Sequence, residues 1–236
     1  AGARFSVGTT TNTYSVRDAA GNTVATPCTF AVTVSDAQNP TITCPDDISI
    51  GTDAGVCTAV VDYTTPTGGD NCAESTTALT AGLASGGTFS LGTTTNTYTV
   101  TDAAGNKVSC SFDVTVSDDE APTFASCPAT GSLDTDNDGD QCGALVTFST
   151  PTVSDNCDSG LTPTQTEGLA SGVSFPVGTT TNTFNVTDAA GNVATVCTFD
   201  VTVSDTEVPT ASYPASQTLD CVQGLDKSPA STGSPS

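Results

Sequence analysis

The strongest constraint on the fold is a long phrase that occurs three times in the chain. It first reads "FSVGTTTNTYSVRDAAGN" from Phe5 and returns with few changes from Phe89 and from Phe175. The two later copies are each preceded by a long stretch of related sequence, whereas the first copy is not. A self-similar chain of this kind is typical of a row of structural units that each contact their neighbours.

The residues inside each repeat alternate as β-strands do. In "CSFDVTV", the side chains of Cys110, Phe112, Val114 and Val116 share one face, which predicts a strand with one face buried. The related segments place Phe30 and Phe199 at the same inward position, and "CGALVTF" places Cys142 inward with Ala144 and Val146. The sequence therefore predicts an all-β chain of tandem immunoglobulin-like β-sandwiches with partial units at both ends.

Acidic linkers that contain proline separate the repeats. "SDAQNP", "SDDEAP" and "SDTEVP" each follow the last strand of a unit, and they predict boundaries near Asp36, Asp118 and Asp205. The predicted units are 1–36, the C-terminal part of a sandwich; 37–118 and 119–205, two complete sandwiches; and 206–236, an N-terminal strand fragment with a Ser/Pro-rich tail.

Composition narrows the function classes. The chain has 26 acidic and four basic residues and a net charge of −22, which disfavours binding to nucleic acid or anionic membranes. It has no histidine, the usual general base of a nucleophilic triad, and no apolar run long enough to span a membrane. Ten cysteines indicate an oxidising, extracellular setting, and the lack of methionine and of a signal peptide indicates a piece of a longer secreted precursor.

An ordered set of short motifs carries a family resemblance. "PTITCP", "CTAVVDY", "DNC", "GTTTNTY", "TDAAGN" and "CSFDVTVSD" recur in one order, and this set resembles the hyalin repeat (HYR) family. The resemblance implies immunoglobulin-like sandwiches in tandem arrays of extracellular proteins associated with adhesion and matrix, and it implies no catalysis. The last fragment departs from the pattern because Tyr213 stands where the first full unit has Cys44.

Each full unit has four cysteines, which allow three connectivities. The first and last strands share one end of such a sandwich, so we expect Cys44–Cys110 and Cys127–Cys197, a choice that the family resemblance supports. The remaining cysteines then pair within their units as Cys57–Cys72 and Cys142–Cys157. A zinc site is the rival interpretation, and the chain has no Cys-x-x-Cys spacing that favours it.

The terminal fragments suggest a mode of assembly. The leading fragment has an uncovered apolar face, and the trailing segment 206–222 can supply the missing strand to a neighbouring molecule. The cross-link Cys28–Cys221 would then be intermolecular, and repeated head-to-tail contacts would give a filament. The alternative is that the sequence is a window of a longer array that continues covalently at both ends.

Acidic residues at two kinds of position predict calcium sites. Asp134, Asp136 and Asp138, followed by Gly139 and with Asp140 as a further ligand, resemble the start of a calcium-binding loop. A second set gathers where the linkers meet the "DNC" loops and the "DAAGN" turns, and calcium there would stiffen the array as in cadherin-like modules. The alternative is that these side chains only cap turns. The junctional set comprises Asp36, Asp70, Asn71, Asp102, Asp118, Asp119, Glu120, Asp155, Asn156 and Asp188.

These features favour a structural extracellular protein that builds a filament or matrix from head-to-tail sandwiches. The alternative function is an adhesin segment that binds a glycan or protein through its end loops. Paired carboxylates could in principle support glycoside hydrolysis, but the acids lie mainly in turns and no enzyme activity is expected. Calcium is the only cofactor expected, self-association is the expected partnership, and Asn185 lies in the only N-glycosylation sequon.

Overall fold

The structure, a computed structural model, describes residues 2–72, 74–129 and 131–212, and their regular secondary structure consists of strands alone. The fold is therefore all-β, as predicted. Two strands form a leading hairpin, β1 (Gly8–Tyr14) and β2 (Cys28–Val34). The first full unit contains β3 (Ile48–Gly51), β4 (Thr58–Val61), β5 (Thr76–Ala81), β6 (Gly87–Ser90), β7 (Gly92–Thr101) and β8 (Lys107–Ser117). The second contains β9 (Thr123–Phe124), β10 (Thr135–Asp136), β11 (Gly143–Val146), β12 (Val153–Ser154), β13 (Thr164–Glu167), β14 (Val173–Pro176), β15 (Gly178–Asn185) and β16 (Cys197–Ser204).

Each full unit is a sandwich of a four-stranded sheet and a smaller facing sheet. In the first unit the larger sheet has the order β3-β8-β7-β5, with β3 parallel to β8 and the other neighbours antiparallel, and β4 pairs with β6 in the smaller sheet. Ala59 and Phe89 from the smaller sheet pack against Phe112 and Val114 from the larger one. Burying each large apolar side chain in this way contributes about 1.5–3 kcal/mol.

The second full unit repeats this arrangement. Its larger sheet has the order β10-β16-β15-β13, and β11 pairs with β14 in the facing sheet. Phe175 from the smaller sheet packs against Phe199 and Val201 of the larger sheet, the positions that alternation in the sequence had assigned to the core. A short additional ladder joins β9 to β12 beside the linker.

The leading hairpin has the same strand pairing as β7–β8 and β15–β16, but within the described residues no sheet faces it. Phe30 is 49% exposed, whereas its equivalents Phe112 and Phe199 are 3% and 1% exposed. The prediction that Phe30 lies in a core is therefore wrong in this structure. Its register is correct, but no second layer covers it in the part of the chain that the structure describes, and the ring stacks instead on Tyr14 at 5.8 Å.

Cys142 also differs from its predicted inward position. The strand β11 begins one residue later, and the thiol of Cys142 is exposed in the preceding turn. Asp140 in this turn has a φ of +59°, so the extended, alternating geometry of β11 does not extend back to Cys142.

A buried asparagine fixes one loop of each sandwich to the larger sheet. Asn96 and Asn182 are fully buried, and their Oδ1 atoms accept hydrogen bonds from the backbone N–H groups of Leu83 at 2.7 Å and Leu169 at 2.9 Å. Gly82 precedes Leu83 with a φ of +85°, and a Cβ on it would lie only 2.7 Å from the Cα of Asn96. The close approach of this loop therefore requires both the amide and the glycine.

We expect the Asn96→Ala substitution to lower the free energy of unfolding of the first full unit by about 1–3 kcal/mol, because the N–H of Leu83 loses its buried acceptor. Urea unfolding can be followed through tyrosine fluorescence, which reports Tyr63 and Tyr98 of the first full unit together with Tyr14 and Tyr213, since the second full unit has no tyrosine. Asn12→Ala is the matched control, because Asn12 is the equivalent residue of the leading hairpin and has no such partner. Equal effects of the two substitutions would contradict this role for Asn96.

Candidate metal centres at the unit junctions

The "DAAGN" turn of each full unit binds the linker that precedes that unit. In the first unit, Asn106 donates from its backbone N–H to Asp102 at 2.8 Å and from its side-chain amide to the same carboxylate at 2.8 Å. The amide also lies 3.4 Å from the carbonyl oxygen of Asp36 and 3.3 Å from that of Gln38. The turn therefore holds the linker against the end of the sandwich at which the linker enters, which we call the head of the unit.

The second unit has the same arrangement around Asp188. Asn192 donates to both oxygens of this carboxylate, and its amide donates to the carbonyl oxygen of Asp118 at 3.2 Å. Burial raises the pKa of Asp188, but the hydrogen bonds from Asn192 and Gly191 outweigh burial and lower the pKa overall. Opposing effects of the same kind give Asp102 a lowered pKa, so both buried carboxylates are charged at neutral pH.

Each "DNC" loop contributes a second carboxylate to the same place. Asp70 Oδ2 accepts a hydrogen bond from the backbone N–H of Cys72 at 2.8 Å, and Asp155 Oδ2 accepts one from Cys157 at 2.9 Å. The other oxygen of each carboxylate, Oδ1, is shielded from solvent and has no hydrogen-bond partner. Turn capping therefore explains one oxygen of each carboxylate and leaves the second unexplained.

The linker and the two loops converge on one point at each junction. At the second junction the carboxylates of Asp118, Asp155 and Asp188 offer oxygens that all lie within 4.8 Å of one another. At the first junction the group within the same distance is Asp36, Asp70 and Cys72. Each pair of unit charges about 4 Å apart repels by about 1–4 kcal/mol between the limits of water and a partly buried site. A cation among the three carboxylates of the second junction would relieve this repulsion.

The remaining residues of the predicted junctional set lie around these clusters. Glu120 accepts a hydrogen bond from the backbone N–H of Gly55 at 2.8 Å, which joins the linker to the preceding unit. The amide of Asn156 donates to Thr52 Oγ1 and to the carbonyl oxygen of Val56, and its Oδ1 is shielded without a partner. Asn71 is exposed at the first junction, and the carboxylate of Asp119 lies over Gly51.

The predicted calcium loop after residue 133 is not assembled. In the part of the chain that the structure describes, its acids do not form a group of three whose oxygens lie within 4.8 Å of one another. Asp134 accepts a hydrogen bond from the N–H of Thr202 and Asp138 from that of Leu145, whereas Asp136 lies on the exposed strand β10. The backbone N–H of Asp140 is bonded to Glu207. A strand and a hairpin turn thus direct these side chains to different partners.

Three disulfides cross-link the described residues. Cys44–Cys110 joins the segment before β3 to β8, and Cys127–Cys197 joins the segment between β9 and β10 to β16. Both pairs are as predicted. The third bridge joins Cys57 of the first unit to Cys157 of the second. It is a cross-link between units.

The predicted pairs Cys57–Cys72 and Cys142–Cys157 are therefore wrong in this structure. Cys57 precedes β4 and lies at the downstream end of its sandwich, beside the loop that contacts Glu120. Cys72 follows β4 and lies at the upstream end beside Asp36. A cysteine before a strand and one after it are separated by the length of the sandwich, and this strand direction is the sequence signal that would have excluded the pair.

Cys28, Cys72 and Cys142 carry free thiols. The pKa of Cys72 is raised, first by its hydrogen bond to the carboxylate of Asp36, then by burial and by the charges of Asp36, Asp70 and Asp102. Cys221, the predicted partner of Cys28, lies outside the described residues, as does most of the segment 206–222 that was expected to donate a strand. Asn185 of the glycosylation sequon is half-buried at the end of β15.

A row of all-β sandwiches, joined by a disulfide and by acidic junctions, defines a tandem β-sandwich repeat protein. The family model for the HYR domain matches residues 1–34, 35–116 and 117–203. The chain therefore belongs to the HYR domain family.

Named relatives agree with this assignment. The chain is 37% identical over 214 residues to hyalin of Strongylocentrotus purpuratus, covering 87% of this chain and 17% of that protein. It is 33% identical over 214 residues to hyalin of Lytechinus variegatus, covering 87% of this chain and 38% of that protein. The chain thus spans well under half of either relative.

Solved structures of cadherins are also similar in part. Drosophila N-cadherin EC1-4 gives a TM-score of 0.36 at 15% identity, with 78% of this chain and 54% of that chain covered. Protocadherin Gamma B2 domains 3-6 give a TM-score of 0.36 at 13% identity, with 78% and 56% covered. Among the described residues, no helix has the length and apolar character required to cross a membrane.

The cross-link between units predicts a specific effect of removing it. The double substitution Cys57→Ser/Cys157→Ser should leave the melting of each sandwich nearly unchanged, because both bridges within the units remain. It should widen the distribution of angles between the units, measured by small-angle X-ray scattering. The control Cys44→Ser/Cys110→Ser should instead destabilise the first unit by about 2–5 kcal/mol. Peptide mapping that found Cys57 bonded to Cys72 would contradict the assignment.

Proposed function

We propose that this chain is an extracellular structural segment in which tandem HYR sandwiches form a stiff rod, and that such rods build a filament or matrix head to tail. Stiffness comes from the junctions. A disulfide joins neighbouring units, and a calcium ion at the second junction binds the linker to the head of the following unit. Secretion into an oxidising medium suits the disulfides, and the high negative charge keeps the surface solvated.

The observation that carries this proposal is the cluster of Asp118, Asp155 and Asp188. Calcium takes six to eight oxygen ligands, which three carboxylates can supply in part with backbone carbonyls and water. The Oδ1 atoms of Asp155 and Asn156 are shielded from solvent and accept no hydrogen bond in the described residues. Oxygen atoms without a hydrogen-bond donor are suited to ligate a cation. Because Asp118 belongs to the linker, its ligation to the cation would restrict the movement of one unit relative to the next.

The first junction fits calcium less well. Its third ligand atom is the sulfur of Cys72, and sulfur is a poor ligand for a hard cation. Asp36 is moreover engaged by the Cys72 thiol. We therefore assign tighter calcium binding to the second junction.

Calcium binding can be tested on the purified chain after chelation. We expect isothermal titration calorimetry to detect a site whose affinity falls about tenfold or more in Asp155→Asn, because this substitution removes one charge and keeps the turn-capping oxygen. Calcium at about 100 times its dissociation constant should stabilise the folded chain by about 2.7 kcal/mol.

Asp136→Asn is the matched control, because it removes one charge from the loop that the structure does not assemble. It should leave the titration unchanged. Absence of binding heat and of any thermal shift in the unsubstituted chain would exclude calcium as the junctional ligand.

Head-to-tail assembly is the finer part of the proposal. Among the described residues, the leading hairpin exposes Phe30 and Tyr14, and its Cys28 thiol is free. The equivalent aromatic side chains of the full units are buried and the equivalent cysteines, Cys110 and Cys197, are in disulfides, so the hairpin is suited to receive complementary strands. The trailing segment 206–222 of a neighbouring molecule, with Cys221, is the proposed donor.

Strand donation predicts a covalent ladder on a non-reducing gel that collapses to one band of about 23.4 kDa after reduction. The Cys28→Ser substitution should abolish the ladder, whereas Cys142→Ser should leave this cross-link intact. Electron microscopy should show beaded fibres for the unsubstituted chain. Isolated short rods that bind a glycan or protein partner would instead favour an adhesin segment.

A further inference from the structure

The bridge between the two full units shows how one sandwich receives the next. The loop before β4 presents Cys57 to the "DNC" loop of the following unit. The amide of Asn156 donates to Thr52 Oγ1 at 3.3 Å and to the carbonyl oxygen of Val56 at 3.2 Å. Glu120 of the linker accepts a hydrogen bond from Gly55 of the same loop at 2.8 Å.

The loop of the first unit that contains Thr52, Gly55, Val56 and Cys57 is called the receiving loop here. A loop with the same hydrogen bonds lies at the downstream end of the second unit. Asp138 accepts a hydrogen bond from Leu145 at 2.9 Å, as Asp53 does from Val60 at 2.9 Å. The backbone N–H of Asp140 donates to Glu207 at 2.8 Å, as that of Gly55 does to Glu120. Cys142 therefore occupies the position of Cys57, but its thiol is free and exposed.

An open groove of about 880 Å³ lies beside this thiol. One side consists of the receiving loop, with Asn137, Gln141 and Cys142, and the other side is the chain from 205 to 210. At the junction between the two full units, the equivalent loop is occupied by Asn156 and Cys157. The acceptors that would replace Thr52 Oγ1 and Val56 O are Asn137 Oδ1, which already accepts one hydrogen bond from the N–H of Thr206 at 3.2 Å, and the carbonyl of Gln141. That carbonyl accepts one bond from Asn137 and has a second lone pair.

We propose that this groove is the docking site for the "DNC" loop of another HYR-type unit placed in tandem after the linker that begins at Asp205, with a disulfide between Cys142 and the loop cysteine. The partner is defined by its chemistry: an asparagine amide that donates to the receiving loop, followed directly by a cysteine. The inference rests on the tandem arrangement of complete units in the proposed function and not on strand donation to the leading hairpin, which has no "DNC" loop, and it needs no cation.

Formation of the bridge is a balanced thiol–disulfide exchange. One thiolate attacks a low-molecular-weight disulfide such as oxidised glutathione, which forms a mixed disulfide and releases one thiol. The second cysteine then displaces the other glutathione. The two protein thiols are oxidised by two electrons, and the oxidant leaves as two reduced thiols.

The test uses the chain with residues after Pro209 replaced by a second copy of 123–204, which retains the linker and removes Cys221. Three substitutions remove competing thiols: Cys28→Ser and Cys72→Ser in the chain, and Cys142→Ser in the copy. The protein is oxidised with a glutathione buffer in chelator and digested at acidic residues. We expect a cross-linked peptide that joins Cys142 to the copy's Cys157. A tethered partner has a millimolar effective concentration, which favours this bridge roughly 10³-fold over pairing between molecules at micromolar protein.

The bridge Cys127–Cys197 within the copy reports whether the added unit folds. A folded copy with Cys142 still open to alkylation would overturn the proposal. The proposal would also be overturned if the copy folded behind a Gly-Ser linker but not behind the native linker, because a folded unit would then not fit beside the groove. Substituting alanine for the asparagine of the copy's "DNC" loop should slow bridge formation. Because this oxidation experiment is carried out in chelator, its outcome does not depend on calcium. The docking proposal and the calcium proposal can therefore fail independently.

Discussion

A β-sheet of this composition needs a second sheet against its apolar face, and this requirement organises the whole chain. The strand pair formed by β1 and β2 has the same register as its counterparts in the full units, from Gly8 opposite Val34 to Tyr14 opposite Cys28. In the described residues, the phenylalanine that the repeats share is buried only where β4–β6 or β11–β14 lies across the core. Hydrogen bonding thus sets the hairpin, and burial between two layers makes it part of a domain.

Placing the second layer also determines where the polar chemistry lies. The loops that connect the two layers and the "DAAGN" turns meet at the head of each full unit, where Asp70 and Asp102, or Asp155 and Asp188, accept hydrogen bonds. Asp188 is buried there because three backbone or side-chain donors surround it, and not because a basic residue neutralises it. A buried negative charge that is held only by neutral donors remains available to a cation.

Sequence alternation was sufficient to predict the strands, the core phenylalanines of the full units and the gathering of acids at the junctions. All of these depend on period-two geometry and on which loops share an end of a sandwich. The pairing of Cys57 was not predictable from spacing, because its partner is 100 residues away in another unit, and Cys72 is nearer in sequence but lies at the opposite end of the sandwich. The unpartnered oxygen of Asp155 depends on side-chain geometry, which alternation does not determine.

The two junctions differ because of the state of one cysteine. Cys157 is bonded to the preceding unit, and the three groups that converge beside it are all carboxylates. Cys72 has the same backbone hydrogen bond to its aspartate, but its free thiol engages Asp36 and takes the third position. A disulfide at Cys72 would remove the S–H group beside Asp36. Under the proposed function, cross-linking and cation binding would therefore be coupled at a junction, because a bridge at Cys72 would leave the neighbouring carboxylates without a competing thiol.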